Sequence, residues 1–363
     1  MSAPGRHLAL LLPELESGGA QRVMLSLADG LARRGHRVDL LVLDAAGPLR
    51  AAVPSSVRLV DLGVRGNRAA YALRAAAGLT GWLRRERPAA LLSTISGTNI
   101  VAVVARALGS PSTRLALREA VTLDNVASPG RLCLMRWLYP KADCVIALSH
   151  HMAAQLGLSL GIPRALIRCI ANPVDSDRIR NMAAHPLDHP WLAQTSGPLI
   201  VAVGRLIPQK DFATLLQAFA RLPTALGARL AIVGEGPERG ALEQLALRLG
   251  CADRVLLVGF DPNPWRWMSG ADLLASSSRW EGHPNVLLEA LALGLPIVST
   301  IYDPSALELR ALADGLSLGF VNAGDAEAMS LRMAEALSDP AGRGTGVPSS
   351  LDAAIDAYEE ALV

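Results

Sequence analysis

The chain is expected to fold as an α/β protein with two doubly wound, parallel-sheet domains in tandem, and three observations carry that expectation. Its 363 residues are too many for one ordinary core and suit two. Short runs, HLALLLP, RVDLLVLD, AALLSTI, TRLALRE and CVIALS, alternate with helix-like segments such as AQRVMLSLADGLARRG and TNIVAVVARALG. From residue 199 the alternation starts again with LIVAVGRL, RLAIVGEG, RVLLVGF, DLLASSS, PIVSTI and GFVNAG. The short runs are continuously apolar, as strands are when helices cover both faces of a parallel sheet. Strand, helix and strand in repeated succession is the βαβ pattern.

The domain limits follow from where that pattern breaks. The first Rossmann-like domain is placed at 1–175, an interdomain linker at 176–198, where prolines and polar residues replace strands, and the second Rossmann-like domain at 199–345. Residues 339–350, DPAGRGTGVPSS, read as linker-like. The tail 346–363 then ends in LDAAIDAYEEALV, an amphipathic helix expected to pack back across the domain junction.

Composition bounds the function. With 51% hydrophobic and 19% charged residues the chain is a packed globular protein, and a net charge of +2 implies no nucleic-acid partner. Cys133, Cys144, Cys169 and Cys251 form no C-x-x-C pair and read as reduced core residues, neither a disulfide framework nor a metal site. The run RHLALLLPE is short, interrupted by Pro13, and fits a first strand better than a signal; no apolar stretch reaches the length of a membrane span, so a cytoplasmic location is expected. The only lysines are Lys141 and Lys210 among many arginines. A lysine kept against that bias marks a position where a compact ammonium matters.

In open α/β sheets ligands bind beyond the carboxyl ends of the strands, so the loops there are the candidate sites. After the first strand, Gly18 and Gly19 open a helix, where the backbone can approach an anion and free N–H groups face it; a plain tight turn is the alternative. After the first strand of the second domain, VGRLIPQKDF carries Arg205 and Lys210, with Asp211 placed to cap the next helix. The stretch RWEGHPNVLLEALALGLPIVS holds Glu281 and Glu289. A helix beginning near Asn285 puts Glu289 about 6 Å further along on the same face. Two carboxylates there fit recognition of ribose or sugar hydroxyls, and the helix N-terminus favours a diphosphate. A structural pairing with an arginine is the alternative. IVGEGPERG offers G-x-G-x-x-x-G, but Pro237 occupies the turn and Asp261 comes only beyond a further glycine, so nicotinamide binding is disfavoured. In the first domain SGTN, with Thr98 and Asn99, and REA, with Arg118 and Glu119, end two strands as a weak acceptor-pocket candidate.

The segments GRLIPQKDF, AIVGEGPERGALEQLA, RVLLVGF and SSSRWEGHPNVLLEALALGLPIVST resemble the donor domain of the GT-B retaining glycosyltransferases of group 1, the glycosyltransferase 4-like family. SGGAQRVMLSLADGLARRGHRV and IANPVD resemble its glycine loop and interdomain connection. His283, where an aromatic is common, and STIYDPSALEL depart from the family pattern. The resemblance implies a GT-B fold with two domains facing a central cleft that closes on a nucleotide-sugar, UDP-linked by preference. It implies transfer with retention to a glycan or lipid-linked acceptor in polysaccharide, lipopolysaccharide or glycoconjugate biosynthesis. No cofactor and no obligatory metal are implied, since a D-x-D motif in the family's sense is absent. The donor residues implied are Gly18, Gly19, Arg205, Lys210, Gly234, Phe260, Glu281, Asn285, Val286, Leu287 and Glu289, with Arg205, Lys210 and Glu281 catalytic. Glu289 would hold the ribose and Glu281 the sugar hydroxyls. A nucleotide-sugar epimerase of the same architecture and a non-catalytic glycosyltransferase-like subunit are the alternatives.

Two basic segments with tryptophan, RLCLMRWLYPK (131–141) and WLRRERP (82–88), suit peripheral contact with an anionic membrane face beside a lipid-linked acceptor. An ordinary helix burying Trp137 is the favoured reading.

Overall fold

The computed structural model describes residues 5–16, 18–65, 68–123, 128–194, 197–338, 345–346 and 350–363. Ser17 of the glycine loop and most of the linker-like 339–350 stretch lie outside the described residues. The chain divides into two compact units, 1–173 with 351–363, and 174–350.

The strands of the first unit are β1 (His7–Glu14), β2 (Arg37–Asp44), β3 (Arg58–Asp61), β4 (Ala90–Thr94), β5 (Arg114–Arg118), β6 (Cys144–Ala147) and β7 (Ile167–Cys169). All pair in parallel, in the order β3-β2-β1-β4-β5-β6-β7. Helices α1 (Gly19–Arg33), α2 (Arg68–Glu86), α3 (Ser96–Gly109), α4 (Pro129–Leu138) and α5 (His150–Leu160) form the crossovers. The apolar run of β1 has a direct cause. Ala9 and Leu11 enter one buried cluster with α2 and α3, while Leu8, Leu10 and Leu12 enter another with α1. Strands β3 and β7 were not anticipated, because each lies at a sheet edge, is three or four residues long and buries none of its residues fully.

The second unit repeats the plan with β8 (Leu199–Val203), β9 (Arg229–Val233), β10 (Val255–Gly259), β11 (Leu273–Ser276) and β12 (Ile297–Ile301), a short β13 (Ala313–Asp314), β14 (Leu318–Asn322) and a short β15 (Thr345–Gly346). Its main sheet runs β10-β9-β8-β11-β12-β14, and β13 pairs with β15. Its helices are α6 (Ser176–Ala183), α7 (Phe212–Ala220), α8 (Arg239–Arg248), α9 (Trp265–Ser269), α10 (Asn285–Ala292) and α11 (Ala326–Ser338). In each sheet the strand order reverses beside the first strand, between β1 and β4 and between β8 and β11. Those are the points where adjacent crossovers diverge to opposite faces and leave a crevice.

The segment expected as a linker, 176–198, belongs instead to the second unit. Ile179 and Ala183 of α6 join the core that holds Trp265 and Trp267, and Arg229 lies over the Trp191 ring, 5.3 Å from its centroid. Its prolines end a docked helix rather than mark a free connection. The last helix, α12 (Leu351–Leu362), packs on the first unit. Ile355 lies so close to α1 that a Cβ on Gly30 would stand 2.1 Å from its Cδ1. Arg34 reaches Asp356 at 2.6 Å and Glu359 at 2.7 Å. Two of the four cysteines depart from the expected burial: Cys144 and Cys251 are buried, their thiols pushed up by that burial, but Cys133 and Cys169 are exposed. No helix among the described residues is long and apolar enough to cross a membrane.

At the amino ends of β1, β2 and β3 a charge cluster forms on buried Asp39, which takes Arg58 Nε and His7 Nε2 at 2.8 Å each. Glu86 joins through Arg37 at 2.8 Å and Arg58 at 2.9 Å. Burial pushes the Asp39 carboxyl up, but the hydrogen bonds from Arg58 and His7 outweigh it and hold it below the usual carboxylate range. The hydrogen bond from Arg58 likewise lowers Glu86. A carboxyl held below its unfolded-state value stabilises the fold above that value, about pH 4, and the gain is lost as pH falls through the folded-state one. Stability measured by urea melts is therefore expected to fall as pH drops from about 5 toward 2, less steeply for Asp39→Asn than for the wild type. Parallel slopes would remove Asp39 as a source.

Candidate functional site

Beyond the carboxyl ends of β8 and β11, at the switch point of the second sheet, the loops 204–211 and 277–284 are fastened to each other. Lys210 Nζ donates to Glu281 Oε1 at 2.5 Å. The same oxygen accepts the Ser278 hydroxyl at 2.7 Å, and Gln209 Nε2 reaches Oε2 at 3.4 Å. Backbone atoms join as well: Arg279 N donates to the Gln209 carbonyl, Gln209 Nε2 to the Trp280 carbonyl and Ser277 Oγ to the Lys210 carbonyl, each at 2.8 Å. Asp211 completes the fastening. It caps α7 as expected, accepting from Thr214 Oγ1 at 2.9 Å, and its other partner is Arg279 Nε at 2.9 Å. This holds Asp211 in the left-handed region, φ 46°, which an aspartate tolerates when its side chain has local partners.

Glycines let neighbouring loops close around this pair. The Lys210 stem lies against Gly204, where a Cβ would stand 3.2 Å from Cε. Gly234, at φ 154°, passes so near that its Cβ would fall 1.8 Å from the Gly204 carbonyl oxygen. Its N–H donates to the Gly259 carbonyl at 2.9 Å, which ties the loop after β9 to the end of β10. Phe260, the next residue, is 49% exposed.

Two expected roles change in emphasis. Glu281 is only 8% exposed and both its oxygens are engaged, so in this state it holds Lys210. Glu289 is not buried. It lies one turn beyond Asn285 on α10, and Asn285, Val286, Glu289 and Leu293 form the half-buried side of that helix, whereas Leu287, Leu288 and Leu291 face the core. The side chain of Arg205 is exposed, and no ion pair or hydrogen bond of its guanidinium is found among the described residues. Gly18 and Gly19 start α1 in the other unit, beyond β1. Gly18 caps that helix in an extended conformation at φ −106°, so close packing on the Gln21 side chain rather than backbone freedom makes glycine fit there.

The acceptor candidates in the first unit are corrected. Thr98, Asn99, Arg118 and Glu119 line no surface; all four are buried. Arg118 donates to Tyr358 of α12 at 3.0 Å, to Thr94 at 2.9 Å and to Asn172 at 2.5 Å, neutral oxygens that disperse its charge. Glu119 accepts from Tyr139 at 2.7 Å and Ser96 at 3.0 Å, and Asn99 donates to the Arg118 carbonyl and the Tyr139 hydroxyl. Burial pushes the Glu119 carboxyl up against those hydrogen bonds. Polar residues at strand ends here stitch the interior together, which is what a buried polar group requires.

Sequence reasoning did not single out Gln209, Ser278, Arg279 or Tyr302. Gln209 and Arg279 act through contacts between loops roughly 70 residues apart, which no local pattern encodes, and Ser278 acts within its own loop, three residues from Glu281. Tyr302 follows β12, and burial, then the charges of Asp303 and Glu281, raise its hydroxyl. In the D-x-D triplet at 175–177, Asp175 caps α6 and Asp177 pairs with Arg180.

Comparison with known proteins agrees with this geometry. Residues 188–349 match the family described as Glycosyl transferases group 1, and residues 18–173 match the Glycosyl transferase 4-like domain. The N-acetylgalactosamine-N,N'-diacetylbacillosaminyl-diphospho-undecaprenol 4-alpha-N-acetylgalactosaminyltransferase of Campylobacter jejuni is 33% identical over 217 residues, 58% of this chain and 57% of that enzyme. The lipopolysaccharide core biosynthesis glycosyltransferase LpsE of Rhizobium meliloti is 27% identical over 324 residues, 89% of this chain and 87% of that protein. Among solved structures, Anabaena HepE in complex with UDP and glucose superposes with a TM-score of 0.79 at 18% identity, covering 98% of this chain and 99% of HepE. Two parallel sheets with matched switch points, and family matches over both halves, lead to one conclusion: the chain belongs to the group 1 glycosyltransferases and has their GT-B fold.

Proposed function

We propose that the protein transfers a sugar from a UDP-sugar to a glycan or lipid-linked acceptor in polysaccharide or lipopolysaccharide assembly, with retention at the anomeric carbon and without an obligatory metal. The observation that carries this reading is the Lys210–Glu281 pair at the switch point of the second sheet, with Arg205 on the same loop. As the glycosidic bond to the diphosphate breaks, the anomeric carbon becomes electron-poor and negative charge gathers on the departing phosphate. The fixed Lys210 ammonium stabilises that charge without reorganising, and the exposed Arg205 guanidinium adds a second positive charge, the part a divalent cation plays elsewhere. The N-terminus of α10 would add its field, and the half-buried Glu289, one turn along, would accept two hydrogen bonds from a ribose diol.

The relatives support the finer terms. HepE holds UDP and glucose, LpsE is named for lipopolysaccharide core assembly, and the Campylobacter enzyme is named for a diphospho-undecaprenol substrate and an α linkage. An α product from an α-linked UDP-sugar is retention.

The test has two stages. UDP at a hundred times its dissociation constant is expected to add about 2.7 kcal/mol to stability, read as a raised melting temperature with EDTA present. Proton NMR of the product formed from UDP-sugars and polyprenyl-diphosphate-linked acceptors is then expected to show the donor's anomeric configuration. An inverted product, or stabilisation that appears only with added metal, would overturn the retaining, metal-independent reading. Free rearranged sugar in the absence of acceptor would point to an epimerase.

A further inference from the structure

We infer that the outward face of α4 is a docking surface for an anionic lipid bilayer. The helix is apolar on two sides. Met135 and Leu138 are buried and half-buried Leu132 packs on the same core, which accounts for one side. On the other, Gly130, Cys133, Leu134 and Trp137 recur at i, i+3, i+4 and i+7 and all are exposed. Leu134 is 47% and Trp137 66% exposed, so the reading that buries Trp137 is corrected. Trp82, in the other basic segment, is buried and takes no part.

Charge identifies the occupant. Arg131, Arg136 and Lys141 are exposed around this stripe, and Lys141 Nζ stands 3.5 Å from the centre of the Trp137 ring. Residues 128–141 contain no acid, and neither do α3 and α5, the helices packed against α4. A tryptophan ring bordered by long cationic side chains fits the boundary of a bilayer, the ring among the acyl ends of the headgroups and the cations at the phosphates. A second copy of this chain is a poorer occupant, since a self-complementary contact through this face would set three cations against three. Lys141, one of the two lysines of the chain, stands at the rim of this patch.

Sedimentation of the full chain with vesicles tests the proposal. At low salt the protein is expected to pellet with phosphatidylcholine vesicles containing phosphatidylglycerol and to remain in solution with phosphatidylcholine alone. Neutralising all three cations, Arg131→Gln with Arg136→Gln and Lys141→Gln, is expected to weaken binding about a hundredfold, at about fivefold per charge. Leu134→Ser with Trp137→Ser is expected to weaken it independently at equal salt. Because every replaced side chain is exposed, these variants are expected to keep the wild-type melting temperature and its rise with UDP, which separates failure of docking from failure of the donor site. Absence of pelleting with anionic vesicles, or equal pelleting of wild type and variants, would overturn the proposal. So would a dimer in sedimentation velocity that Trp137→Ser dissolves, because the face would then belong to a second copy.

Discussion

Lys210→Ala is expected to lower turnover about 10²- to 10³-fold, the usual effect of deleting one preorganised group that faces developing negative charge. Its effect on stability is also expected to be visible, because the structure couples Lys210 to the nearly buried Glu281. Removing the ammonium leaves a carboxylate with only the Ser278 hydroxyl and the long contact to Gln209, and an undercompensated charge in that position costs about 1–3 kcal/mol. The double variant Lys210→Ala with Glu281→Gln separates the two roles. Neutralising the acid removes the buried charge, so the melting temperature is expected to return toward that of the wild type while turnover stays low. Thermal melts and steady-state kinetics on the wild type and the two variants check this. Full turnover in Lys210→Ala, or a double variant as unstable as the single one, would break the link between this pair and transfer.

Gly234→Ala is the second large effect, and it acts through the backbone. The residue sits at φ 154°, and a Cβ there would fall 1.8 Å from the Gly204 carbonyl oxygen, so one of two loops must move. Main chain on both sides leaves no flexible side chain to give way, and a loss of about 2–4 kcal/mol is expected. The displaced loop is the one against which the Lys210 stem rests, so UDP affinity is expected to fall with stability. Urea melts and UDP titration measure the two. Gly240→Ala, in the same glycine-containing segment with open space around its Cβ, is the control expected to leave both nearly unchanged. If both variants behaved alike, the close approach of the two loops would not matter in solution.

How much of this was legible beforehand depended on whether the cause was local. Strands at the centre of each sheet were readable because burial on two faces makes every residue apolar. Edge strands β3 and β7 were not, since partial burial leaves a mixed composition. Segment 176–198 looked like a linker because its helix is short and proline follows, yet Ile179 and Trp191 tie it to the second unit. Arg118 and Glu119 show the same limit from the other direction. A charged pair at a strand end looks available for a ligand, and only the arrival of Tyr358, 240 residues later, and of Tyr139 shows where their hydrogen bonds go.

By itself the sequence determined the class of the fold, the restart at 199, the family likeness and the loops that carry Lys210 and Glu281, because hydrophobic periodicity and the placing of glycines are local consequences of backbone geometry. Only the tertiary structure decided that Lys210 and Glu281 grip each other, that Arg118 and Glu119 face inward, and that Trp137 faces out. Pairing and exposure depend on which distant segments fold against a residue, and that is a property of the assembled core rather than of any stretch of chain.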